Sequence, residues 1–212
     1  MRRILYLISL PLVFLFAQET FAGQSAKELA VQSMEECQRG RSANERHVRL
    51  AHFERAQVLA EKAVALNDRL ADAHYSLFCT LGEQLRIDGE TLSAVFGIRE
   101  VMAALDRTLE LNPNHLNAIS SKATFLVRLP TLFGGDIEKG EKLLRRVIRE
   151  DPTCINARLT LAKLLADRGD YSEAISLATE ALTFAKQKQQ RDFIKASKKT
   201  LNHLQSKYLV SR

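Results

Sequence analysis

Tryptophan is absent from this chain of 212 residues, and cysteine, proline and glycine are scarce at three, four and nine. The three cysteines, Cys37, Cys79 and Cys154, are far apart and odd in number, which excludes a disulfide framework and a zinc-ligand spacing. They read as small core hydrophobes, with one pair able to oxidise in an oxidising compartment. Valine-rich alternating runs are missing, so strands are not expected. The motifs of common chemistries are missing too. The five histidines, His47, His52, His74, His115 and His203, form no HExxH pattern. There is no GxSxG elbow. Gly134-Gly135-Asp136-Ile137-Glu138-Lys139-Gly140 lacks the glycine spacing and terminal Lys-Ser/Thr of a phosphate loop, and reads as a tight turn before a helix capped by Asp136. Acidic neighbours such as Glu35-Glu36 and Glu150-Asp151 fan out around a helix and do not face each other as a catalytic pair does. No enzyme, metal or cofactor is expected from these residues.

What is present favours helices. Ala, Leu, Glu, Lys and Arg dominate, and a hydrophobic share of 46% suffices for a sizeable core. The first 22 residues combine Arg2-Arg3, an apolar run from Ile4 to Ala17 and Thr20-Phe21-Ala22. That order is expected to be a signal peptide cleaved after Ala22, with export to the periplasm; the alternative is an N-terminal membrane anchor. The apolar run is short against the roughly 20 residues of a membrane span. The net charge of +6 is uneven: from Lys186 to the end the chain carries +7. The basic character is therefore expected to belong to a tail, the solvated face of a terminal helix, and not to a groove. Without interleaved aromatics it does not read as a nucleic-acid interface.

The most regular stretch runs from Ile155 to Ala181. Small or apolar residues recur at helical spacing at Ala157, Leu161, Ala162, Leu165, Ala174, Ala178 and Ala181. Gly169-Asp170 divides them, Gly169 suiting a helix end and Asp170 a cap; Asp151-Pro152 stands upstream as a breaker. This helical hairpin resembles a tetratricopeptide repeat, a family with a period of about 34 residues. Leu161, Ala162 and Leu165 fall where the family has leucine, a small residue and tyrosine; Ala174, Ala178 and Ala181 fall where it has alanine, an aromatic and alanine. The aromatic is departed from, and Arg158 stands in place of the family's tryptophan.

The same spacing extends backward. Gln24 to Gln38 is the first predicted helix, stopped by Gly40; Ser42-Ala43-Asn44-Glu45 has capping-box spacing for the next, which reaches Leu66. Ala71 to Leu85, a turn at Arg86 to Gly89, and a long helix to Leu111 form a second unit, whose tip is expected to project. Leu116 to Leu129 and Asp136 to Asp151 form a third, with Gly140 allowing close helix packing. The expected architecture is all-α: a right-handed tetratricopeptide-like solenoid of four hairpins, approximately 24–68, 71–113, 116–152 and 155–187, within 23–189, with a basic capping helix over 190–212.

In such a solenoid the first helix of each hairpin lines the concave face, where partners bind. Matching the repeats places Tyr75, Cys79 and Glu83 there from the second hairpin, Asn117, Ser120, Thr124 and Arg128 from the third, and Asn156, Leu159 and Lys163 from the fourth. The Lys/Asn clamp by which some family members hold a C-terminal carboxylate has no counterpart here. The implied function is protein–protein interaction with a protein partner. Leu129, Leu132 and Phe133 make an apolar connection in Leu129-Pro130-Thr131-Leu132-Phe133-Gly134-Gly135-Asp136; packing between the long helices of the second unit and the helix after Asp136 is expected, an exposed patch being the other outcome. With the export signal, this segment is similar to the T-component of periplasmic TRAP-type transport systems, from which it departs in having no lipid-site cysteine. That resemblance implies an accessory protein binding a solute-binding subunit or a small apolar ligand.

Overall fold

The computed structural model describes residues 24–88 and 93–210; the expected leader, 1–22, lies outside the described residues. Among the described residues every element is helical: α1 (Ala26–Ser42), α2 (Arg46–Leu66), α3 (Ala71–Asp88), α4 (Ser93–Leu111), α5 (Leu116–Arg128), α6 (Ile137–Glu150), α7 (Ile155–Asp167), α8 (Tyr171–Gln187) and α9 (Arg191–Val210), with a 3-10 turn at Thr131–Phe133. Consecutive helices pair as α1/α2, α3/α4, α5/α6 and α7/α8, and α9 packs on α8 and α7.

One pattern makes the pairs stack. The second helix of each hairpin buries three positions at the same spacing. They are Ala56, Ala60 and Ala63 in α2; Val101, Leu105 and Thr108 in α4; Gly140, Leu144 and Val147 in α6; and Ala174, Ala178 and Ala181 in α8. Small residues at these i, i+4, i+7 sites let helix axes approach closely. Gly140 is the extreme case: a Cβ there would lie 2.5 Å from Val127 Cγ1. The next hairpin then starts from a repeated turn. Asn67, Asn112 and Asp151 each accept, through a side-chain oxygen, the backbone N–H two residues on, at 3.0, 3.0 and 2.9 Å. These turns reverse the chain while keeping its donors satisfied.

Several local expectations are corrected. α1 does not stop at Gly40 but continues to Ser42. Gly40 is a contact glycine, packed under Phe53. Ser42 therefore caps nothing, and the residue before α2 is Glu45, without a side-chain cap; the capping box is instead Ser25 with Glu28 at the start of α1. Arg86 to Asp88 are helical, because α3 runs 18 residues where α5 and α7 run 13. Asp136 does cap α6, accepting from Lys139 N at 2.9 Å. Asp170 makes no side-chain cap to α8. It serves α7: with Gly169 at φ 91°, the N–H groups of Gly169 and Asp170 return to Ala166 O at 3.0 Å and Leu165 O at 2.9 Å. This is the two-bond left-handed closure that glycine favours.

The core has two main bodies. Cys37, Phe53, Phe78, Cys79 and Leu105 fill the first two hairpins; Ile119, Leu144, Leu161, Leu165 and Leu204 fill the last two and α9. Leu109 packs against both. Arg158, in the family's tryptophan position, is 4% exposed, pairs with Glu180 at 3.0 Å and lies 5.0 Å over the Phe184 ring. The stacked planar cation supplies the flat contact that an indole would make.

Candidate partner-binding groove

The first helices, α1, α3, α5 and α7, and the start of α9 surround a groove of about 1410 Å³. Of the residues matched to the concave face by the repeats, Tyr75, Cys79, Glu83, Asn117, Ser120, Thr124, Arg128 and Asn156 line it. Leu159 and Lys163 do not. Leu159 is 5% exposed because it packs with Ile155, Ala181 and Ala185 beneath α9, which occupies the place a fifth hairpin would take. Lys163 is exposed beyond the lining.

The floor is polar and mutually bonded. Asn156 Nδ2 donates to Ser120 Oγ at 3.0 Å, and the hydroxyls of Thr124 and Thr160 meet at 3.2 Å, tying α5 to α7. Tyr75 stacks on Phe78 at 5.7 Å and meets the His115 ring at a tilt, 4.6 Å between centroids, and His115 Nε2 faces Asp72 at 3.1 Å. Arg41 Nε donates to Glu83 Oε1 at 2.7 Å, joining α1 to α3, and Arg86 bonds the other oxygen at 2.6 Å. Burial would raise the Glu83 carboxyl, but these guanidiniums hold it below the ordinary glutamate range. Burial pushes the Cys37 thiol up to about 12 and raises Cys79 and Cys154 as well. Such thiols are poor nucleophiles. All three are buried and free, Cys37 and Cys79 in one core body and Cys154 in the other.

Two further expectations are overturned. The basic residues are not confined to a tail outside the groove: Arg191, Lys195 and Lys199 of α9 line it, because α9 turns back across the concave side and touches α1. Their i, i+4, i+8 spacing is the signal for one shared helix face, but matching the four hairpins to one another does not reach it. The apolar connection is not packed between helices: Leu129, Leu132 and Phe133 are 37%, 89% and 70% exposed, and none lines the groove. Its shape is set by backbone bonds, Gly135 N to Pro130 O at 3.1 Å and Asp136 N to Leu126 O at 2.9 Å, which close the turn without its side chains. They form an exposed knob, not the wall of an apolar pocket. Among the described residues no group of His, Cys, Asp and Glu could hold a metal ion.

Stacked helical hairpins around one concave face, ended by a capping helix, define a helical-repeat solenoid. Residues 134–191 match the tetratricopeptide repeat family model. The fold is similar to that of a thermophilic tetratricopeptide protein from Thermus thermophilus, with a TM-score of 0.57 and 17% identity over 84% of this chain and 82% of that one. MamA from Desulfovibrio magneticus RS-1 is a more distant likeness, with a TM-score of 0.46 and 14% identity over 90% of this chain and 98% of the other. No curated protein sequence matches the chain.

Proposed function

We propose that this protein is an exported, non-enzymatic scaffold that binds a protein partner along its concave groove. The carrying observation is the groove itself, which runs across successive inner helices and presents Asn117, Thr124 and Asn156 as polar contacts, Asn156 supported from below by the buried Ser120. Its length and mixed polarity suit a polypeptide segment better than a compact apolar ligand. Export rests on the order of charge, apolar run and small residues in the first 22 positions. Among the described residues no helix is long and apolar enough to cross a membrane.

A photo-crosslinking residue in place of Thr124 tests the binding reading, with one in place of Glu138 on the outer surface as reference. Crosslinking to a protein from Thr124 and not from Glu138 is the expected result. Equal labelling from both positions, or none from either, overturns it. N-terminal sequencing of the secreted protein tests the leader: a start at Gly23 is expected, and a start at Met1 contradicts cleavage.

A further inference from the structure

The walls of the groove differ in charge balance. Where α1 and α3 face it, acids are matched: Arg41 and Arg86 share Glu83, and His115 faces Asp72, while Arg49 Nε is buried without a partner. Along α9 the cations are not matched. Arg191, Lys195 and Lys199 stand at i, i+4 and i+8 on α9, all exposed to the groove, and none makes a hydrogen bond or ion pair with a described residue. Arg128, at the end of α5 on the same groove, is equally unpaired. Lys163 of α7 belongs to the same group although it stands beyond the lining. Desolvation draws its ammonium below the usual lysine range, and the charges of Arg128 and Lys199 push it further. Three helices thus bring cations close enough to act on one another. The acid on this part of α9 is Asp192, in the first turn where a helix favours negative charge. Its Oδ1 is buried without a partner.

Several arginines elsewhere are paired with acids. Arg145 reaches Glu141 and Glu173, Arg168 reaches Glu141, and Arg158 reaches Glu180. Like charges one helical turn apart weaken a helix, yet α9 keeps them on the concave side. A ligand of opposite charge would relieve that repulsion.

We propose that this wall receives an acidic segment of a polypeptide, whose carboxylates are held by Arg191, Lys195 and Lys199, with Arg128 and Lys163 engaging its far end. The inference rests on the groove reading above and gives its partner a chemical class. Four residues of helix rise about 6 Å, and same-face side chains of an extended chain recur at about 6.6 Å. Acidic residues at alternate positions therefore match the α9 stripe rung for rung. A polypeptide fits better than an anionic lipid surface, because these cations look into a concave groove that a flat bilayer does not enter.

The test uses the mature chain and a fluorescein-labelled nonapeptide of alternating serine and glutamate, in about 0.1 M salt where surface charge is partly screened. Binding is expected, and it should fall about tenfold or more in the triple variant Arg191→Gln, Lys195→Gln, Lys199→Gln. A second triple variant, Lys27→Gln, Lys139→Gln, Lys142→Gln, removes the same charge from exposed sites off the groove and should bind as the parent does. Lys195→Arg with Lys199→Arg should retain binding. Equal losses in both triple variants, or equal binding of a serine–lysine nonapeptide, overturn the proposal. Failure of the glutamate peptide to bind, with phosphatidylserine vesicles captured through the same residues, also overturns it and reassigns the wall to lipid. If the acidic peptide fails while Thr124 still crosslinks a protein, this inference falls and the groove reading stands; if both fail, both fall.

Discussion

The Cβ that Gly40 lacks would stand 2.5 Å from Cε1 of Phe53, a ring with no exposed surface. Gly40→Ala improves helix propensity by about 1 kcal/mol. It also forces the largest fully buried side chain to move, and overpacking of this kind costs about 1–3 kcal/mol. A lower urea midpoint is expected for Gly40→Ala. A raised midpoint would show that Phe53 has room to shift.

Gln189 tests the opposite sign. It closes α8 at φ 54°, in the left-handed region, with Gln190 N returning to Ala185 O at 3.0 Å. Gly169 fills the same role after α7. A side chain with a Cβ is strained there by about 1 kcal/mol. Gln189→Gly is expected to raise the melting temperature by a few degrees, and an unchanged or lowered value would contradict the strain.

Leu204 and Phe133 should behave as opposites. Leu204 of α9 is 1% exposed, among the side chains of the last two hairpins. Leu204→Ala should cost about 2–5 kcal/mol. Phe133 is 70% exposed, and Phe133→Ala should change stability by no more than about 0.5 kcal/mol. Denaturant titration of both variants checks the pair: equal midpoints would mean that α9 is a free arm or that the knob is buried against something.

The Arg41–Glu83–Arg86 group makes stability depend on acid. Burial favours the neutral Glu83 carboxyl, but the two guanidiniums outweigh it and hold it below the ordinary 4.5. A carboxylate depressed in the folded state contributes its full stability above the unfolded value and loses it as pH falls through the folded value. Glu83→Gln should therefore be less stable by about 1–3 kcal/mol at neutral pH. Its stability should then fall less steeply than the parent's below about pH 5. Glu36, held low by His52 and then by Arg55 and Arg39, and Glu141, held low by Arg145 and Arg168, each once burial is overcome, account for part of the slope that remains. Parallel pH curves for parent and variant would remove Glu83 from this role.

The hairpins were legible because their determinants are local and periodic. Ala174, Ala178 and Ala181 announce a close-packed helix face by spacing alone, and the structure leaves none of the three exposed. Asn67, Asn112 and Asp151 stop helices because short polar side chains bond their own backbone. The groove was legible as far as the repeats could be superposed, and Tyr75, Ser120 and Thr124 line it. Leu159 escaped because the same repeat position is covered when a capping helix follows.

What the sequence determines by itself is thus helix, turn and hairpin, each set by contacts between residues a few positions apart. Tertiary structure alone decides where α9 lies, and with it whether Arg191, Lys195 and Lys199 belong to a solvated tail or to a groove wall. It also decides that Leu132 and Phe133 face water, since their turn is closed by backbone bonds and asks nothing of their side chains. Both outcomes depend on the relative placement of hairpins, a sum of many weak packing contacts between residues distant in the chain, which leaves no period for sequence inspection to detect.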